Sequence, residues 1–293
     1  MWLFKKRDKT KPIKHRKVKI GFALGGGGAR GIGHIGALKA FEELGVVPEY
    51  IVGTSAGSII GALYAYGLSA QEIEALAFSL KKTDIKKPNW FFMPTSTETI
   101  ESTLLNIFKK NLVFSELKIP FCAMAVNIKT GKEVKLDSGF VAKACCASSA
   151  VPGVFKPVNF NDMFLVDGGL TNNVPADVAR EMGANVVLAI DVNPTRAEGT
   201  SSLKLFKVLS STLGVMMQEN VQAKSRFADM VITLKHVPSF SASKVGDVAE
   251  MIQAGYDAVM DKKEEILNII KRKPKIKDKI VWRINTKAKN KKP

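Results

Sequence analysis

The sequence predicts an α/β fold with a parallel or mixed sheet and helices on both faces. Three observations lead there. Residues 18–24 (VKIGFAL) and 186–192 (VVLAIDV) are apolar almost throughout, the pattern of strands covered on both sides. Strand-like runs alternate with helical stretches along the chain. Turn signals built on Gly, Pro and Asn separate them, and no internal repeat competes with this reading. The 293 residues fit one large domain or two small ones, and 46% hydrophobic content excludes a disordered chain.

Each element has a local reason. Residues 18–24 form the first strand, and a glycine run, residues 25–28, ends it. A helical stretch follows to Leu44, with Gly45 as its stop signal. Residues 49–52 read as the second strand, and the helix after it runs to Tyr66 ahead of Gly67. Ser69 opens a third helix, with Glu72 completing a capping box. Residues 82–94 read as a loop, 98–110 as a helix, and 119–137 as a hairpin around Thr130-Gly131. Residues 140–149 are helical in pattern, and residues 158–160 and 163–166 flank a turn at Asn161-Asp162. A short helix spans 175–182 with Pro175 at its favoured first position, and residues 186–192 form a strand ended by Asp191. Late helices cover about 203–222 and 247–270.

The net charge of +17 suggests a polyanion binder until it is located. Residues 1–19 hold nine Lys/Arg and one acid, a net of +8; residues 271–293 hold eleven and one, a net of +10; residues 20–270 are left with −1. The chain thus divides into a basic tail (1–17), a near-neutral body (18–270, with a motif core over 18–191) and a second basic tail (271–293). A neutral body argues against specific nucleic-acid reading. Only Trp2, Leu3 and Phe4 precede the first basic run, the reverse of a signal peptide. The uncharged stretch 50–71 is long enough to suggest a membrane span, but it opens as a strand and breaks at Gly53, so a strand and a buried helix explain it. Three Cys, two of them adjacent, give no disulfide framework and suggest a reducing, cytoplasmic setting.

The sharpest chemical signal is Gly53-Thr54-Ser55-Ala56-Gly57, placed between a strand and an uncharged helix as a nucleophile elbow requires. A packing turn is the bland alternative. A serine hydroxyl needs a base, and the chain has three His. His15 lies in the basic tail, His34 reads as a hydrogen-bonded structural residue in the first helix, and His236 has nothing distinctive around it. A carboxylate is the other candidate. Asp167 ends a strand and is followed by Gly168-Gly169, which suits either presentation into a cleft or a turn cap. The glycine run Gly25-Gly26-Gly27-Gly28-Ala29-Arg30-Gly31 offers side-chain-free N–H groups for an oxyanion. It also matches the dinucleotide fingerprint G-x-G-x-x-G through Gly26, Gly28 and Gly31, and again through Gly31, Gly33 and Gly36. A dinucleotide site wants an acid ending the second strand, where this chain has Gly53-Thr54-Ser55.

These segments in this order resemble the patatin-like phospholipases. Two more fit that family: residues 147–157 (ASSAVPGVFKP), and Asn172-Asn173-Val174-Pro175 after the aspartate. The resemblance covers about 18–191 and continues more weakly to about 260. It implies a three-layer α/β/α sandwich with a mostly parallel central sheet and hydrolysis of fatty acyl esters in lipids by a Ser–Asp dyad, independent of calcium. Ser55 would be the nucleophile, Asp167 the base, and Gly26, Gly27 and Gly28 the oxyanion hole. Arg30, Gly31, Gly53, Gly57, Gly168 and Gly169 would support them, with Arg30 either bracing the loop or steering a phosphate headgroup. No metal or other cofactor is implied. A dinucleotide-dependent oxidoreductase and a non-catalytic lipid-binding protein are the competing functions.

Trp2, Trp90 and Trp282 each lie near basic residues, a pairing that suits a membrane–water interface. The two tails either tether the chain to an anionic membrane surface, peripherally on its inner face, or are solvated ends. Residues 89–94 (NWFFMP) read as a lid or as packing over the core. The oligomeric state is not legible.

Overall fold

The computed structural model describes residues 18–83, 97–193, 205–234 and 245–271. Five strands lie parallel in the order β8-β7-β1-β2-β3: Met230–Thr233, Val186–Asp191, Ile20–Leu24, Tyr50–Thr54 and Phe121–Asn127. Three antiparallel strands complete the sheet. β4 (Lys132–Leu136) pairs with β3, as does β6 (Met163–Asp167), and β5 (Val158–Phe160) pairs with β6.

Side chains alternate between two cores, as the pleat requires. Phe22, Leu24 and Ile51 face the larger core, where α1 (Gly33–Glu43), α2 (Ala56–Tyr66), α3 (Ala70–Thr83) and α8 (Val245–Met260) pack, and Phe22 stacks on Phe41 with ring centres 4.5 Å apart. Ala23, Val52, Cys122, Met124 and Val187 face the smaller core, against α6 (Ala176–Met182) and α7 (Leu205–Ser225). Gly21 lets α6 and the turn after it approach closely; a Cβ there would lie 3.3 Å from Ala179 Cβ of α6 and 2.7 Å from Ala184 Cβ. Helices therefore cover both faces, and α4 (Thr97–Phe108) and α5 (Val141–Ser148) join the larger core.

The uncharged stretch resolves into β2 and α2 as read, and among the described residues no helix is long and apolar enough to cross a membrane. The capping box forms, with Ser69 N–H donating to Glu72 (2.8 Å) and Glu72 N–H donating to Ser69 Oγ (3.2 Å). Two elements differ from the sequence reading. The last helix breaks after Met260 into α8 and α9 (Lys263–Lys271), where Glu264 and Glu265 favour a fresh N-terminus. β8 has no separate signal in the sequence, because four residues carry too short a pattern to stand apart from the helix before them.

Glycines join α1 to α8. A Cβ on Gly36 would sit 1.7 Å from the Ile252 carbonyl oxygen, and one on Gly255 would sit 1.9 Å from that of Gly33. The second G-x-G-x-x-G match is thus a helix-packing surface.

The position of the site follows from β3. β2 pairs with Phe121 to Met124, and β4 with Ala123 to Asn127, so the two occupy opposite edges. β6 pairs with Ala125 to Asn127, which β4 also uses, so β6 shares the edge of β2. Thr54 lies opposite Met124 and Asp167 opposite Ala125. Two strands arriving from opposite directions therefore end side by side on one edge.

Candidate active site

Ser55 stands at the turn between β2 and α2 with φ 52° and ψ −125°, a conformation that costs a side-chain-bearing residue about 1–3 kcal/mol. The surroundings impose it. Ser55 N–H donates to Ser148 Oγ (2.9 Å), and its carbonyl accepts from Ser58 N–H (2.8 Å) and Ser58 Oγ–H (2.6 Å). Both glycines of the pentapeptide are required by close approach. A Cβ on Gly53 would meet Gly57 O at 2.4 Å, and one on Gly57 would meet Leu24 O at 2.3 Å. The Ser55 side chain makes no capping bond to α2, which leaves its hydroxyl for other partners.

Asp167 ends β6 and is 1% exposed. Its N–H donates to Ala150 O (3.0 Å), and its Oδ1 accepts from Gly169 N–H (2.7 Å). Oδ2 is buried with no group at full hydrogen-bond geometry, although the Ser55 side chain lies near enough to act on the carboxyl. Burial pushes this carboxyl up from 3.8 to about 6, against the opposing pull of the Gly169 N–H and the Ser55 side chain. The cap reading of Asp167 thus holds for Oδ1, which is bound to Gly169, while Oδ2 is buried. Gly168 must be bare, because a Cβ there would lie 2.4 Å from Met124 O.

The glycine loop lies across the ends of β1 and β2. Gly25 N–H donates to Ile190 O (2.9 Å) and Gly26 N–H to Asn173 O (3.1 Å). The second bond corrects the expected donor set, since a Gly26 amide held by Asn173 has no hydrogen left for an oxyanion. Gly27, extended at φ −178°, and Gly28, at φ +56°, lead into the 3-10 turn Gly28–Ile32, and their amides are the remaining donors of the run. Gly31 lets that turn touch α2, where a Cβ would come 2.4 Å from Ala56 Cβ.

The loop is braced from below. Asn193 Nδ2–H donates to Gly26 O (2.7 Å) and to Asp191 Oδ1 (2.9 Å), and Arg30 donates to Asn193 Oδ1 (3.0 Å). Arg30 is therefore part of the brace. His34 donates from Nε2 to Gly25 O (2.7 Å) and is fully buried, which lowers its pKa to about 4 and keeps it neutral, a structural role as read. Glu49, the acid at the start of the second strand, accepts from Ile20 N–H (2.7 Å). His15, His236, the 89–94 loop and, apart from Lys271, both basic tails lie outside the described residues.

The sequence by itself assigns no role to Ser148, Asn173, Asn193 or Asn220. Ser148 and Asn173 stand in the two extra segments quoted for the resemblance, whereas Asn193 and Asn220 carry no local signal, since a hydrogen bond across the fold leaves no periodicity.

The family model for patatin-like phospholipases matches residues 22–180. The chain belongs to this family. It is 36% identical over 182 residues to human patatin-like phospholipase domain-containing protein 6 and 33% identical over 181 residues to lysophospholipase nte1 of Aspergillus fumigatus. Each match takes in 59% of this chain but only 13% and 12% of those relatives, so the chain spans about an eighth of their length. Among solved structures, VipD from Legionella pneumophila superposes with a TM-score of 0.52 at 14% identity, over 85% of this chain and 67% of that one, which supports the shared fold. The patatin-like region contains the glycine loop, the serine turn and Asp167; Asn193 and Asn220 lie beyond it.

Proposed function

We propose that the chain is a serine lipid acyl hydrolase of the phospholipase A or lysophospholipase type, with 18–270 as its catalytic body. One observation carries this reading: a serine held in a strained turn beside a buried aspartate whose Oδ2 has no group at full hydrogen-bond geometry. An aspartate with a pKa near 6 is ionised at neutral pH and still basic enough to receive a proton as the serine attacks.

In the first step, Ser55 Oγ bonds to the ester carbonyl carbon and its proton passes to Asp167 Oδ2. The carbonyl electron pair moves to oxygen, which the Gly27 and Gly28 amides receive together with the positive end of α2. Collapse expels the alcohol, which takes the proton from Asp167 and leaves an acyl-serine. Water then repeats the sequence and releases the fatty acid. The names of the relatives support phospholipid or lysophospholipid as the ester class, and the basic tails support recruitment to anionic bilayers.

A fluorophosphonate probe tests the reading. Labelling should map to Ser55 and vanish in Ser55→Ala, while Asp167→Asn lowers fatty-acid release from a mixed lipid extract at least a hundredfold. Near-normal hydrolysis by either folded variant overturns the dyad.

A further inference from the structure

We infer that Asn220, on α7, is a positioning residue that sets the aspartate and the oxyanion loop with one side-chain amide. The inference rests on the hydrolase reading above, but it concerns a residue outside the family-matched region.

Asn220 spans two backbones. Its Oδ1 accepts from Asn173 N–H (2.9 Å), and its Nδ2–H donates to Gly169 O (2.8 Å). The orientation is determined by these partners, since a flipped amide would set donor against donor and acceptor against acceptor.

Each anchored backbone leads to one half of the site. Gly169 presents its N–H to Asp167 Oδ1 at 2.7 Å, so Asn220 orients the peptides flanking the residue that grips the carboxylate. Asn173 presents its carbonyl to Gly26 N–H at 3.1 Å and its Nδ2 to Gly26 O at 3.3 Å, so Asn220 also fixes the residue that carries the glycine loop. The helix is seated against this spot, because a Cβ on Gly169 would lie 2.8 Å from Met217 Cε. A carboxamide supplies this acceptor and donor from one planar group. Leucine of similar size supplies neither, and aspartate keeps the acceptor while setting negative charge against Gly169 O.

The test uses the full chain, a soluble short-chain 4-nitrophenyl ester and a fluorophosphonate probe. Asn220→Leu should lower kcat by ~10²-fold, the usual cost of a misplacement near 1 Å, with KM within about twofold. The rate constant of Ser55 labelling should fall in parallel while the fraction finally labelled stays complete. A purely structural role gives the opposite pattern, a smaller labelled fraction reacting at the normal rate, and that result overturns the inference. So does a kcat within threefold of the parent. If Asn220→Leu does not fold, Asn220→Asp, which keeps the bond to Asn173, is held to the same criteria. If the unaltered chain shows neither labelling nor Ser55-dependent hydrolysis, the hydrolase reading falls and takes this inference with it. A parent that labels, beside a leucine variant that labels equally fast, removes the positioning role alone.

Discussion

Replacing Asp167 by Asn should change how stability depends on pH, with a sign and size set by burial. In the unfolded chain Asp167 ionises near 3.8, and in the folded protein near 6. Between those values the folded state holds a proton that the unfolded state has lost, so the aspartate makes stability fall as pH rises through this window. The gap is about two pH units at about 1.4 kcal/mol each, or ~3 kcal/mol once both states are ionised. Asn cannot ionise, and its Oδ1 retains the bond from Gly169 N–H. Its extra N–H groups replace an oxygen that had no group at full hydrogen-bond geometry, which adds a cost of about 1–3 kcal/mol, but one that does not vary with pH. The informative quantity is therefore the stability of Asp167→Asn minus that of the parent, from urea unfolding at a series of pH values. It should rise by about 2 kcal/mol between pH 4.5 and 7.5, the part of the ~3 kcal/mol that develops there. A difference constant to about 0.5 kcal/mol, or one that falls, would mean that the carboxyl is not held above its ordinary range, and the account of Asp167 as a desolvated base would fail. If the proposed hydrolysis is measured in the parent protein, the same ionisation should give kcat/KM an acid limb near pH 6.

Ser55→Gly should abolish probe labelling yet stabilise the protein by about 1 kcal/mol, because glycine accepts the strained turn; a loss of stability in thermal melts would mean that the turn is not strained. Gly36→Ala should destabilise by about 3 kcal/mol, read by the same melts, since its Cβ would lie 1.7 Å from a backbone oxygen that has no side chain to swing away. Deleting 1–17 and 275–293 should remove sedimentation with anionic liposomes at low salt without reducing hydrolysis of a soluble ester; unchanged sedimentation refutes the tether.

The parts of this fold that could be read from sequence are those whose cause is local. Ser55 is legible because a tight strand-to-helix turn needs Gly53 and Gly57 close by in the chain. Asp167 is legible because it ends an apolar run ahead of two glycines. The capping box at Ser69 is equally local, as is the turn at Asn161-Asp162, whose two residues have positive φ. The error in the oxyanion set has a different origin. Gly26 is indistinguishable from Gly27 in the sequence, and what separates them is the Asn173 carbonyl, brought in from far along the chain. The same holds for Asn193 and Asn220, whose roles depend on which backbone groups the fold places opposite them. Gly33 and Gly36 show the converse, a strong local pattern whose cause is a helix near the other end of the body. Motif reading treats such glycines as a binding fingerprint, whereas packing uses them to bring two backbones together.

The meeting of β2 and β6 on one edge of β3 governs which insertions the protein can absorb. Met124 and Ala125 act as neighbouring marks on a ruler, and Ser55 and Asp167 are each set from one of them. Loops between the strands can lengthen or shorten while these marks stay fixed. One residue added to β3 between the marks would separate the two strand ends by about 3.3 Å and turn the following side chains to the opposite face. Length variation among functional versions of this chain should therefore concentrate in its connections, and the span from Phe121 to Asn127 should keep a constant count of residues.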